Sequence, residues 1–372
     1  MGTRPYFLFA SLLAISACVV SAQTSIGIAY KYTKITQPGW ININPSSINN
    51  HNDIVGSYAS PDAPHGFMYS NGQLTTIDYP GAEITELTGI NDNGDIVGFY
   101  VPPDNPSEVH GILLRAGIFT NIDFPGSTFT EPLGINGTGT IVGTYADAAG
   151  FHGFIYASGS YTTVDAPQLD PNEPPHTLLS GINNTGTIVG EVIEGSTFRG
   201  FAFSGGSFHF LNAPGTTDNL TSAINNRGDI VGQGFNDCGY IAFSFPTKGV
   251  GNLQHFGAPC IHSINDDRFL IGGQGGLNKG AFVATPLLTV AVSSPQNHSN
   301  LTNPVHVAAF ASGQNPVSIM EVWVNRQKVY SVAGGALDAL IDLPVGTNER
   351  FVVKAVDSNG TIAKVVDAIT VN

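Results

Sequence analysis

SINNHNDIVG from Ser47, GINDNGDIVG from Gly89, GINGTGTIVG from Gly134, GINNTGTIVG from Gly181, AINNRGDIVG from Ala223 and SINDDRFLIG from Ser263 are six versions of one phrase. Their asparagines, Asn49, Asn91, Asn136, Asn183, Asn225 and Asn265, are spaced 42, 45, 47, 42 and 40 residues apart. A period of this length belongs to propellers and solenoids, whose repeats cannot bury their apolar faces alone.

Each unit reads as four strands, here called a to d. Strand a ends in the Ile-Asn pair, and a tight Asn-x-x-Gly turn leads into strand b, the Ile-Val-Gly segment. Strand c is HGFMYS, HGILLR, HGFIYA or RGFAFS, and strand d is QLTTIDYPG, IFTNIDFPG, SYTTVDAP or SFHFLNAPG. Asn71-Gly72, Ala116-Gly117, Ser158-Gly159 and Gly205-Gly206 separate c from d. Two-residue loops ending in Gly favour the primed turns that match strand twist. Alternating strands without helical periodicity, in four-strand units, predict a six-bladed β-propeller.

The sixth unit stops after strand c, at KGAFVATP, Lys279 to Pro286. A stray strand d, YKYTKITQPG, stands at Tyr30 to Gly39. The leading strand is therefore expected to complete the last blade and hide both edges.

The six phrases together with the H-G-F segments resemble the HAF-type extracellular repeat family of bacterial envelope proteins, over roughly residues 25–286. The resemblance implies export and a repeat-built β fold, and no defined activity.

From Leu287 the period changes to short alternating strands, with a hairpin turn at Asp357-Ser358-Asn359-Gly360. They predict a β-sandwich similar to bacterial immunoglobulin-like domains, without paired cysteines. Trp323 is read there as core or interface filler. The leading 22 residues read as a secretory signal, with Arg4, an apolar stretch from Tyr6 to Val20 and cleavage after Ala22. A lipobox-like Ile15-Ser16-Ala17-Cys18 makes acylation at Cys18 the competing reading. The expected organisation is a signal peptide over 1–22, an all-β propeller over 23–286 and an immunoglobulin-like β-sandwich over 287–372. The resulting location is secreted or in the cell envelope. Past the signal only Cys238 and Cys260 remain, and an oxidising compartment predicts that they pair.

With 45 glycines and 11% charged residues, the 372-residue chain suits a turn-rich β protein, and its net charge is −14. The excess falls in 23–286, because 287–372 holds six acids against five bases. That disfavours nucleic acid and anionic membrane as partners. No other segment is long and apolar enough to span a bilayer.

Four groups of residues are candidates. His65, His110 and His152 stand 13 residues before Asp78, Asp123 and Asp165. The fourth unit has Arg199 and Asn212 there, and the sixth Lys279 opposite Thr36. The co-occurrence predicts structural cross-strand pairs tying c to d. Asp92, Asn93 and Asp95 resemble an acidic calcium loop, but Thr140 and Thr187 replace Asp95 in the next units, so turn formation is the preferred reading. Tyr58, Tyr100 and Tyr145 end strand b in three units and are expected to line a ligand funnel. Acids of the long loops surround it, among them Asp62, Glu83, Asp104, Glu108, Asp170 and Glu173. Glu86 and Glu131 occupy matching places in adjacent units and are the candidate catalytic pair.

No nucleophile elbow, zinc-protease helix or phosphate loop is present, and no cofactor is implied. The expected function is an exported binding or interaction protein whose ligand is a carbohydrate or a protein at the cell surface. The alternatives are an extracellular carbohydrate-active hydrolase or lyase using the funnel acids, and a structural spacer.

Overall fold

The computed structural model is described for residues 24–372, except 62, 168–175, 196, 212–217, 235–236, 244–251, 256–258 and 275–279. Side chains at 237–243, 252–255, 259, 274 and 347–349 are likewise left aside. The expected signal peptide with Cys18, and the residues Asp62, Asp170, Glu173, Asn212 and Lys279, lie outside the described residues, as does the side chain of Cys238.

Every described element is a strand, and no helix among the described residues could cross a membrane. The first repeat forms a four-stranded antiparallel sheet from Ile41–Ile48, Ile54–Ala59, Pro64–Ser70 and Gln73–Thr76. The second uses Ile84–Ile90, Ile96–Val101, His110–Arg115 and Ile118–Asn121, and the third Thr130–Ile135, Ile141–Ala146, Phe151–Ala157 and Ser160–Val164. Thr177–Ile182 to Ser207–Phe210 and Asn219–Ile224 to Asn252–His255 repeat the pattern. The turns between c and d are primed as their sequence demands: Asn71 and Gly72 have φ of 50° and 81°, and Ser158 and Gly159 of 51° and 82°.

Strand a carries a bulge in every unit, at Ser46, Thr88, Leu133, Ser180, Ser222 and His262. The bulge explains the invariant Gly of the Ile-Val-Gly segment. A Cβ on Gly98 or Gly143 would stand 2.1 Å from the carbonyl oxygen of Glu86 or Glu131. Beside the axis, a Cβ on Gly134 would lie 3.0 Å from the Cα of Gly181 in the next unit, so side chains there are small or absent.

The asparagines of the phrase knit the units together. Each Oδ1 holds its own turn, as Asn91 does by accepting from the N–H groups of Asn93 and Asp95. Each Nδ2 donates to the backbone carbonyl of the next asparagine, in the order Asn49, Asn91, Asn136, Asn183, Asn225, Asn265 and back to Asn49. All six are buried, so neither half of the amide is left without a partner. Small antiparallel sheets joined in this closed circle make a β-propeller.

Strand Pro259–Ile264 pairs with Leu270–Gln274, which pairs with Ala281–Ser294, and Ser25–Ile35 adds antiparallel as the fourth strand, with Ile35 opposite Ala281 and Tyr32 opposite Ala284. Both last strands run on beyond the propeller. Ser25 to Ala29 continue opposite Val292 to Leu288, and Leu288 to Ser294 pair with strand Val305–Gly313. The boundary expected after Pro286 thus falls inside a continuous strand. The start of the described chain belongs to both parts.

The C-terminal region has two sheets around one core. The first joins the extended pair to Val305–Gly313 and Ala336–Ile341. The second orders Ser299–Leu301, Ile362–Val371, Gly346–Asp357, Val317–Val324 and Gln327–Ala333. Val290, Val307 and Leu337 of one sheet and Met320, Val322, Phe351 and Val365 of the other share that core. Trp323 is not part of it. The Ser25 hydroxyl donates to Asp367 at 3.2 Å, tying the leading strand to the second sheet.

Candidate functional site

Strand a is the innermost strand of each unit, lying against strand a of the neighbouring units, and its side chains alternate in direction along the strand. Leu87, Leu179 and Ile261 are completely buried between units. The preceding residues are Asn44, Glu86, Glu131, Leu178, Leu220 and Cys260, each directly opposite the first residue after the Ile-Val-Gly segment of strand b. Three carboxylates meet this layer: Glu86 and Glu131 from strand a, and Glu191 from strand b opposite Leu178.

These half-buried glutamates differ from the buried acids Asp95 and Asp229. Asp95 is held by Asn91 and by both ends of the Arg115 guanidinium, which keeps its carboxyl below the usual range, and Asp229 by Asn225 and Arg268. Glu86 has only a long contact from the Ser57 hydroxyl of the first unit, at 3.5 Å. Glu131 and Glu191 have no hydrogen-bond partner among the described residues. Burial disfavours the charged form, and the acidities follow. Glu86 is raised by desolvation, against the Ser57 contact. Glu131 is pushed up to about 7 by desolvation and by the nearby charge of Glu86, and Glu191 to about 7 by desolvation alone. The sequence-derived pair of Glu86 and Glu131 is therefore brought within electrostatic reach. Glu191 was missed by the sequence reading. Its signal was a single Glu at a position where the other units have Ser57, Phe99, Thr144, Gln233 and Gly273. His262 was also missed. It is a bulge residue whose Nδ1 donates to the Pro45 carbonyl at 2.7 Å, and burial lowers its imidazole.

Two residues further along strand a, Thr88 and Leu133 help line a cavity of about 90 Å³ on the axis, beside the asparagine circle. Its walls include Ser46, Ser180, Ser222 and the turn residues Asn50, Asp92 and Asp266, of which the three turn residues are engaged with protein groups. The glutamate layer differs in having carboxylates to spare.

Tyr58 and Tyr145, expected to line a ligand funnel, are instead buried in ring stacks, and the half-buried Tyr100 is stacked in the same way. Tyr58 is stacked on Trp40 at 3.5 Å between centroids, with His65 at 5.2 Å. Tyr145 is stacked on Phe124 at 3.5 Å with His152 at 5.2 Å, and Tyr100 on Tyr79 at 3.9 Å with His110 at 5.2 Å. Tyr58 and Tyr145 are only 7% and 6% exposed, and their hydroxyls meet Thr76 and Thr163. Tyr79 and Phe124 end strand d of the preceding unit, so these stacks staple successive sheets.

The His–Asp pairs form across c and d: His65 with Asp78 at 2.9 Å, His110 with Asp123 at 3.2 Å and His152 with Asp165 at 2.9 Å. Asp78 and Asp123 also accept from the Gly66 and Gly111 amides. In the fourth unit Arg199 lies over the Phe210 ring at 4.1 Å instead.

The proposed calcium oxygens are spoken for. Asp92 accepts from the backbone and side-chain amides of Asn50, Asn93 donates to Gly137, and Asp95 is paired with Arg115. Among the described residues no three His, Cys, Asp or Glu groups gather to hold a metal. Of the loop acids, Glu108 contacts His110. Cys260 is disulfide-bonded.

No protein-family model matches the chain, and neither does any curated protein. Solved structures similar to it include a gluconolactonase-like protein, at 10% identity and TM-score 0.44, covering 69% of this chain and 92% of that one. YCF48 from Cyanidioschyzon merolae is similar at 10% identity and TM-score 0.40, covering 90% and 98%. YCF48 bound to D1 peptide follows at 11% identity and TM-score 0.30, covering 91% and 81%.

Proposed function

We propose that the protein is an exported binding protein of the cell envelope or secretome, a six-bladed propeller carrying an immunoglobulin-like module, and that its ligand, a carbohydrate or a protein segment, engages the axial layer of Glu86, Glu131 and Glu191. The observation that carries the reading is that Glu131 and Glu191 have no hydrogen-bond partner among the described residues, and that Glu86 has only the long Ser57 contact. These side chains are half-buried, so their carboxylates are partly desolvated yet still open to a ligand, and groups whose acidity is shifted in this way concentrate at functional sites. The six-membered asparagine circle supports six blades, and the two sheets sharing one core support the immunoglobulin-like module. The export signal and the HAF-type resemblance, both read from the sequence, support the location.

Hydroxyl-rich sugars and backbone or amine donors all satisfy carboxylates, so both ligand classes suit the layer. A glycan and peptide array probed with the mature protein tests this. Ligands should be captured by the parent protein and lost by the Glu86→Gln/Glu131→Gln variant. An array with no ligand, or ligands retained by the variant, overturns it.

One observation favours a second reading as a carbohydrate hydrolase or lyase. Glu131 is raised further than Glu86, and two carboxylates held at different acidities can divide the roles of acid and base. Turnover on a polysaccharide panel, abolished by Glu131→Gln, is its signature. Inactivity across the panel removes it.

A further inference from the structure

Away from the axis, one surface departs from the usual pattern of polar side chains on the water side of a sheet. All five Lys and Arg residues after Leu287 belong to the second sheet of the C-terminal region: Arg326 in a hairpin turn, Lys328 on Gln327–Ala333, Arg350 and Lys354 on Gly346–Asp357, and Lys364 on Ile362–Val371. The strands Val305–Gly313 and Ala336–Ile341 of the facing sheet carry none.

Strand register arranges the outer face in three rows. The middle row runs Ser331, Glu321, Lys354, Lys364. One flank runs Ala333, Ile319, Val356, Ile362, and the other Lys328, Trp323, Val352, Val366. The inward residues of the same strands, Met320, Val322, Val353, Ala355, Ala363 and Val365, fill the core. The outer rows are therefore not needed there, yet Ile362 and Val366 are apolar and 50% and 47% exposed.

The charges are not balanced within the face. Glu321 takes Lys328 and Lys354, each at 3.2 Å, and the Trp323 indole N–H at 3.0 Å. Both ammonium groups lie about 6 Å from the indole centroid, at 5.9 and 6.0 Å. Lys364 has no ion-pair partner among the described residues and stands directly opposite Lys354. Like charges directly opposite on neighbouring strands are destabilising, so folding does not account for the arrangement.

We propose that this outer face binds an acidic polysaccharide, a chain of pyranoses bearing carboxylates. Such a polymer is anionic at its edges and apolar on the C–H faces of its rings, and the sheet offers the complement: cations along the middle row, with Trp323, Val352 and Val366 beside it. A flat, extended strand surface suits an extended polymer. A bilayer suits it less, because that contact requires burial of an apolar face about 5–10 Å into the membrane boundary, and these side chains are short apart from Trp323. The net charge of −14 does not oppose the contact strongly. Its excess lies in the propeller, and exposed charges more than about 10 Å apart are largely screened at moderate salt. The surface is separate from the axial glutamates and does not depend on the function proposed for them.

The test is titration of the full-length protein with polygalacturonate, with dextran, dextran sulfate and anionic phospholipid vesicles as comparison probes. Polygalacturonate should bind, weaken as salt rises, and shift tryptophan emission in the parent but not in Trp323→Phe. Affinity should fall about tenfold in Lys364→Glu, and less in Lys364→Gln, with thermal melting confirming that both are folded. Glu86→Gln/Glu131→Gln should bind polygalacturonate normally. The proposal is overturned by absence of binding, by undiminished binding in Lys364→Glu, by equal or tighter binding of dextran sulfate or vesicles, or by loss of binding in the axial variant.

Discussion

Asn265 donates its side-chain amide to the backbone carbonyl of Asn49 at 3.1 Å, joining the last repeat to the first across 216 residues of chain. The same bond, made between neighbours elsewhere, here closes the circle. The cyclic arrangement therefore does not rest on the leading strand alone.

Asn136→Ala or Asn265→Ala should destabilise the propeller by about 2–4 kcal/mol, since each asparagine satisfies both its own turn and the next unit. Aspartate should cost more than alanine, because it keeps the turn acceptor but sets a buried carboxylate oxygen against the next asparagine's carbonyl oxygen. Urea denaturation curves of the three proteins measure the order, and equal costs for Ala and Asp would refute it.

Glu131 and Glu191 set a pH dependence. Their folded pKa values of about 7 exceed the ordinary carboxylate value of 4.5, so the folded state binds more protons than the unfolded state between these limits. Stability is consequently highest near and below pH 4.5, as far as these two groups decide it, and is lost as pH rises towards 7. The loss is at most about 3 kcal/mol per group. Glu131→Gln and Glu191→Gln should each be more stable than the parent at pH 8, with the advantage gone at pH 4.5. Melting temperatures across that range check this.

Tyr145 tests the reassigned tyrosines. Tyr145→Phe should cost about 1 kcal/mol, for the lost contact with Thr163, while Tyr145→Ala should cost about 3–5 kcal/mol by emptying the stack on Phe124. Neither should weaken a ligand held at the axis once the protein is folded. Selective loss of binding in Tyr145→Phe would restore the funnel.

Gly27 tests the shared strand. A Cβ there would meet the Lys364 carbonyl oxygen at 2.0 Å, a backbone atom that cannot move aside cheaply. Gly27→Ala should lower the melting temperature of the C-terminal region, although the substitution lies more than 300 residues from Lys364 in sequence. A fragment starting at Leu287 should be less stable than the same region in the full chain, having lost Ser25 to Ala29 from its sheet. Differential scanning calorimetry of the variant and the fragment checks both.

The repeat made much of the fold legible. Six Ile-Asn phrases, the Asn71-Gly72 type of turn and the orphan strand at Tyr30 to Gly39 are local signals, and each leads to a structure that backbone geometry requires. The His65–Asp78 pairing was legible for the same reason, since a two-residue turn fixes which residues face each other. The tyrosines misled because an aromatic strand end reads alike whether it faces solvent or a neighbour. Phe124, the partner of Tyr145, comes from the preceding unit. Glu191 escaped notice because nothing in its local sequence shows that the opposing residue is Leu178 on the axis-lining strand.

By itself the amino-acid sequence determined the strands, their turns and their order in each unit, because alternation, Asn-x-x-Gly and paired positive-φ positions act within a few residues. Only the tertiary structure decided which polar groups are left without partners. Asp92 and Asp95 are consumed by Asn50 and Arg115, whereas Glu131, Glu191 and Lys364 are not. The physical reason is that desolvation and charge pairing depend on distance through space. Residues 40 or 200 positions apart become neighbours only when the circle closes and the leading strand joins both sheets.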